Sequence, residues 1–189
     1  MVLVRHSISE PEATIPASQW RLSHRGRNHC KVLAKQLEKY SLTLLISSIE
    51  AKAIETAKLT AEHLTVPTEI VLGLHEHERS NVGFMLSQER FRAQVGEFFK
   101  NPDELVFGTE TANQARSRFS TAIEALIAMY GAGSFGVVTH GTVMSLYVAA
   151  MMGVTPFAFW QRLDMPAYVC VSLPEREVIE IVESISPDI

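Results

Sequence analysis

The sequence predicts an α/β protein built as a three-layer α/β/α sandwich around a mostly parallel central sheet. Two observations lead there. Short apolar runs alternate with amphipathic helical stripes in the order βαβαβ from the amino terminus, which gives parallel strands joined by right-handed crossovers. Several of these runs end abruptly in polar clusters, as strands buried on both faces do where they meet the loops at a sheet edge.

A length of 189 residues suits one body with a sizeable core better than two. A single domain over 1–189 is therefore expected, with 79–107 as an inserted segment able to act as a lid. Met1 to Val4 is the first strand and ends in Arg5-His6-Ser7. Ser23 then caps a helix over 23–40 in which Cys30, Leu33, Ala34 and Leu37 share a face. Thr43 to Ser47 is the second strand, and Ala53, Ile54, Ala57, Ala61 and Leu64 mark the next helix. Glu69 to Leu72 follows the Val66-Pro67 break as the third strand. Between Arg79 and Gly108 the alternation is interrupted, and Phe91, Val95, Phe98 and Phe99 form one face of an inserted helix. Thr111 to Tyr130 is helical, and Gly131 and Gly133 release the chain into the strand Phe135 to Thr139. A helix opens directly after His140-Gly141. Tyr168 to Leu173 and Val178 to Val182 then close the sheet edge as a hairpin.

Hydrophobic residues at 47% and charged residues at 20% place the chain among globular proteins and away from disordered ones. A formal charge of -4 argues against bulk nucleic-acid binding, which needs a net basic face. No apolar run approaches the roughly 20 residues of a membrane span, so no membrane partner is expected. The two cysteines, Cys30 and Cys170, lie far apart and no cationic, apolar leader is present. A reducing, cytoplasmic setting is the expectation.

Four polar clusters fall at predicted carboxyl ends of strands: Arg5-His6, Ser47-Ser48 leading to Lys52, His75-Glu76, and Thr139-His140-Gly141. That edge is where open α/β sheets bind ligands. Two clusters run straight into helix starts, whose free N–H groups favour an anion. Arg5, Lys52 and His140 are the fixed donors that phosphoryl transfer uses, and either His6 or His140 can carry a phosphoryl group covalently.

The chain resembles the histidine phosphatase superfamily, the group that includes cofactor-dependent phosphoglycerate mutase and many small phosphatases. The matching pieces are Leu3-Val4-Arg5-His6, Leu22-Ser23 to Gly26, Ser48-x-x-x-Lys52-Ala53-x-x-Thr56-Ala57, Leu74-x-Glu76, Thr109-Glu110-Thr111 with Arg118, and Thr139-His140-Gly141. The resemblance implies a phosphoglycerate mutase-like fold with His6 as phosphate acceptor and Glu76 as proton donor. Arg5 and His140 would be phosphate binders. Ser9, Lys52, Gly141 and Thr142 complete the expected phosphate-binding set, and no metal or organic cofactor is implied. Lys52 stands where the family usually has arginine, replacing a planar fork by a point charge. Ser7 stands for a usual glycine and Glu12 for a frequent asparagine.

Competing readings of single motifs are weaker. His75-Glu76-His77-Glu78 alternates along an extended segment, so its histidines point to opposite sides and do not make a metal site. Glu78 stays in reserve as an alternative acid. His24 and His29 read as surface residues, and Trp20, Trp160 and the phenylalanine stripe as packing. Both cysteines read as inert and Arg118 as a structural ion-pair partner. The expected activity is hydrolysis of a phosphomonoester, on a small phosphorylated metabolite or a phosphopeptide, with an optimum on the acidic to neutral side. A phosphomutase is a rival, disfavoured because Pro11 and Glu12 stand where mutases carry tryptophan and asparagine. A second rival is a weakly active or inactive phospholigand-binding protein. The sequence leaves room for a homodimer.

Overall fold

A computed structural model describes residues 1–85 and 87–186; Leu86 of the inserted segment and 187–189 lie outside the described residues. Strands β1 (Val2–Arg5), β2 (Leu44–Ser47), β3 (Thr68–Ile70), β4 (Phe135–Thr139), β5 (Ala167–Val171) and β6 (Val178–Val182) form one sheet in the order β3-β2-β4-β1-β5-β6. The four strands from β3 to β1 run parallel, while β5 and β6 join antiparallel at the far side. This is the mostly parallel sheet that the alternating sequence predicts.

Alternate side chains of each inner strand feed opposite layers, as the period of two requires. Val2 and Val4 of β1 join Leu45 and Val138 against α1 (His24–Leu37) and α2 (Ala51–Leu64). Leu3, Ile46 and Val137 face the other way, toward α3 (Gln88–Lys100), α4 (Ala112–Tyr130), α5 (Gly141–Met152) and α6 (Pro156–Arg162). Helix α3 belongs to that core through Val95, Phe98 and Phe99, so the inserted segment is anchored by its apolar face. Among the described residues no helix is long and apolar enough to cross a membrane.

The registers decide where chemistry can sit. Arg5 of β1 pairs with Thr139 of β4, and Ser47 of β2 with Val138. The residues after these strands, His6, His140 and Ser48, therefore leave the sheet at one edge.

Three local expectations are corrected. The third strand is Thr68–Ile70 rather than Glu69 to Leu72, because the chain turns through Gly73 at a φ of 88°. Leu72 is left exposed there. His29 is buried, not on the surface, since it lies on the same stripe as Gly26, Cys30 and Leu33 that packs α1 inward. Helix α6 has no counterpart in the sequence reading, although Thr155 followed by Pro156 is a recognised start.

The start of α1 fixes the loop after β1. Ser23 caps the helix by accepting from the Gly26 amide, and the Ser7 hydroxyl donates to the Gly26 carbonyl at 2.8 Å. A Cβ at position 26 would stand 2.1 Å from the Ile8 carbonyl oxygen, which is backbone and cannot swing away. Gly26→Ala is expected to cost about 3 kcal/mol in urea unfolding, in the upper range of overpacked sites. Gly133→Ala, where the nearest atom is 3.7 Å away, should stay within about 0.5 kcal/mol.

Candidate active site

The rings of His6 and His140 lie with centroids 5.1 Å apart at 60°, both buried. The His6 amide extends the β1–β4 ladder by donating to the Thr139 carbonyl at 2.9 Å, so the two rings are held by adjacent strands. His6 Nδ1 is 2.7 Å from the Ser7 carbonyl oxygen. A carbonyl can only accept, so Nδ1 carries the proton and Nε2 keeps its lone pair. His140 Nε2 is 2.6 Å from Ser48 Oγ and 3.7 Å from Glu50 Oε1. Its Nδ1 is buried with no partner among the described residues.

Burial holds both imidazoles well below the ordinary histidine range. Beside His6, the His140 ring, Lys52 and Arg5 push the same way against the Ser7 hydrogen bond. For His140, Lys52 adds to burial while Glu76 opposes it. Both rings are consequently neutral at pH 7, and a neutral imidazole with a free nitrogen is a nucleophile.

Two cations stand beside them. The Arg5 guanidinium donates to the Leu163 carbonyl, and its Nε is buried without a partner among the described residues. It packs so closely on the start of α5 that a Cβ at Gly141 would come within 2.9 Å of its Cζ. Lys52, 5% exposed, donates to the Ala17 carbonyl at 2.7 Å and pairs with Glu50, 7% exposed. A buried pair of this kind leaves little free charge on either partner. Sequence reasoning missed Glu50. Its signal was a carboxylate at the N-cap of α2, two residues before a cation that the helix dipole disfavours there.

Glu50 Oε1 also accepts the Glu76 amide at 2.8 Å, tying α2 to the loop after β3. Arg118 holds that loop from beneath, donating to the carbonyls of Gly73, His75 and Glu76 while pairing with Glu110 at 2.5 Å. The Thr139 hydroxyl donates to the Leu74 carbonyl at 2.7 Å. The Glu76 carboxylate thereby reaches the start of α5, accepting from the amides of Thr142 at 3.2 Å and Val143 at 3.3 Å. Burial raises its pKa, but His140, Arg79 and the His77 amide outweigh burial and Glu50, and the net direction is down.

The other expected residues divide. Glu78 is more than half exposed and pairs with His75 at 3.0 Å. Ser9 is placed by a backbone bridge to Leu22, with no side-chain hydrogen bond among the described residues. Thr56, part of the Ser48 to Ala57 motif, receives the Ser7 amide at 3.0 Å and returns its own hydroxyl to the Lys52 carbonyl. His77 is stacked 4.1 Å from Phe98 in the core. Burial pushes the Cys30 thiol up to about 12, in keeping with an unreactive packing residue.

A buried pair of neutral imidazoles, two cations and a carboxylate at a helix start meet at one edge of the sheet, and residues 1–182 match the family model for the histidine phosphatase superfamily, branch 1. The chain belongs to that superfamily, and its fold is phosphoglycerate mutase-like. Solved structures similar to it include a protein titled mycobacterial hydrolase 1, at 16% identity and TM-score 0.76, covering 98% of this chain and 99% of that one. A mycobacterial glucosyl-3-phosphoglycerate phosphatase in complex with inorganic phosphate is similar at 18% identity and TM-score 0.71, over 98% and 97% of the two chains. The α-ribazole phosphatase from Shigella flexneri is similar at 20% and 0.71, over 97% and 96%. The comparison with curated proteins found no match.

The imidazoles make stability depend on pH with a definite sign. Because the folded state lowers the pKa of His6 and His140, the unfolded chain binds more protons once pH drops below about 6.5. Stability is expected to be full above that value and to fall as pH drops through 6 and 5. Urea unfolding at pH 7.5 and 5.5 measures it, and His140→Asn should flatten the difference.

Proposed function

We propose that this protein is a phosphomonoester hydrolase that works through a phosphohistidine on His6. The observation that supports it most is the buried pair of His6 and His140 rings, 5.1 Å apart with Arg5 beside them. His6 Nε2 attacks phosphorus in line while Nδ1–H stays on the Ser7 carbonyl, which keeps the tautomer that leaves the nucleophilic nitrogen unprotonated. Arg5, His140 and Lys52 hold the phosphoryl oxygens, with Ser9 and the amides of Gly141 and Thr142 as further donors. Glu76 gives its proton to the departing oxygen, and water then hydrolyses the phosphohistidine.

Glu76 must be protonated for that role, yet its neighbours hold its pKa down. An arriving phosphate dianion adds negative charge beside it and pushes the other way, toward the protonated form. The Thr142 and Val143 amides that the carboxylate now engages are the donors a phosphoryl group would compete for. Binding and acid formation are coupled in this scheme.

One observation favours a second reading, a phospholigand-binding protein with little turnover: Lys52 is already paired with Glu50. Incubation with a radiolabelled phosphodonor, followed by an alkaline quench, separates the two. The hydrolase should carry a label that survives base and is lost in acid, and His6→Ala should abolish it; binding without label favours the second reading. On an alkyl phosphate, Glu76→Gln should lower kcat about 100-fold or more, and Glu78→Gln should leave it within a few-fold. Glu50→Gln keeps the acceptor for the Glu76 amide but frees the Lys52 charge. It is expected to tighten inorganic phosphate binding about tenfold by calorimetry, with an unchanged affinity counting against any restraint by Glu50.

A further inference from the structure

Arg79 lies three residues beyond Glu76, on the same loop. Its guanidinium stacks 4.8 Å from the centre of the Phe91 ring, and Phe91 in turn packs on Trp160 and Phe107. Its Nη1 is buried and has no hydrogen-bond partner among the described residues. Buried polar atoms of this kind are rare and point to a partner yet to arrive.

The other cations around the site each have at least one side-chain partner or carbonyl, although Arg5 Nε is itself unanswered among the described residues. Lys52 has Glu50 and the Ala17 carbonyl, Arg118 has Glu110 and three carbonyls, and Arg5 has the Leu163 carbonyl. Among the described residues Arg79 has no carboxylate within ion-pair distance. A planar fork fixed on an aromatic face has already lost much of its side-chain freedom, so it pays less to bind a matching anion.

Its place relative to the two reacting ends is informative. Arg79 is among the charges felt by Glu76 and His140, while those acting on His6 are His140, Lys52 and Arg5. In an in-line displacement the nucleophile and the leaving oxygen occupy opposite sides of phosphorus. A cation on the loop that carries Glu76 is therefore placed on the side of the alcohol that departs.

We propose that Arg79 forms a second anion subsite, so that the preferred substrates are phosphomonoesters whose alcohol portion carries a carboxylate or a further phosphate. The proposal rests on the phosphatase reading for the direction of the leaving group. Specificity of this type is strong, because a substrate without the anion leaves the buried Nη1 unanswered.

Two matched pairs of esters test it: 2-phosphoglycolate against ethyl phosphate, and 1,3-propanediol bisphosphate against propyl phosphate. Binding by calorimetry and kcat/KM are measured on the wild type, Arg79→Gln and Arg79→Lys. The doubly anionic member of at least one pair is expected to be favoured tenfold or more, and which pair shows it identifies the second anion as carboxylate or phosphate. Arg79→Gln should reduce that ratio at least tenfold, chiefly through KM, and Arg79→Lys should restore part of it. Equal treatment of both members by the wild type, or an equal loss on both in Arg79→Gln, overturns the subsite. Tighter binding of the doubly anionic ester without turnover of any ester supports the subsite and overturns the phosphatase reading. Turnover of all four esters without preference does the reverse.

Discussion

Burying several titratable groups within a few ångströms forces each of them to be answered by another, and the site of this protein is organised by that requirement. The imidazoles answer it by staying neutral, which costs nothing in Coulomb energy and preserves a nucleophilic nitrogen. Lys52 answers it with Glu50, Arg5 with a backbone carbonyl, and Glu76 with the amides that open α5. The parallel registers of β1, β4 and β2 make these arrangements unavoidable, because they bring the residues after each strand to one edge.

Glu50 links parts of the site that are remote in the chain. One carboxylate receives Lys52 from its own helix and the Glu76 amide from the loop after β3, while standing 3.7 Å from His140. Placement of Glu76 and neutralisation of Lys52 are thus coupled through a single side chain. Where the superfamily resemblance leads one to expect an arginine fork, this chain has a lysine with a dedicated counterion, Glu50, which any anion arriving at the ammonium would have to displace.

Much of this was legible in the sequence. The alternation of strands and helices, the strand ends carrying Arg5-His6 and Thr139-His140-Gly141, and the Ser23 cap rely on local periodicity and chemistry, which propagate directly into structure. Helix α6 escaped because seven residues give too short a period to recognise, and its Thr155-Pro156 start was the available cue. His29 was misplaced because a lone histidine was judged by its polarity rather than by its position on the α1 stripe.

The sequence by itself determined the order of the strands and of the helices other than α6, and the superfamily, since these follow from local periodicity and from short motifs in a fixed order. Only the tertiary structure decided that the Glu76 carboxylate reaches the amides that open α5 while Glu78 pairs with His75, that Lys52 is matched by Glu50, and that Arg79 stands unpaired above Phe91. The physical reason is that burial and electrostatic pairing depend on through-space neighbours from four separate strand ends, and no linear spacing encodes which of them meet.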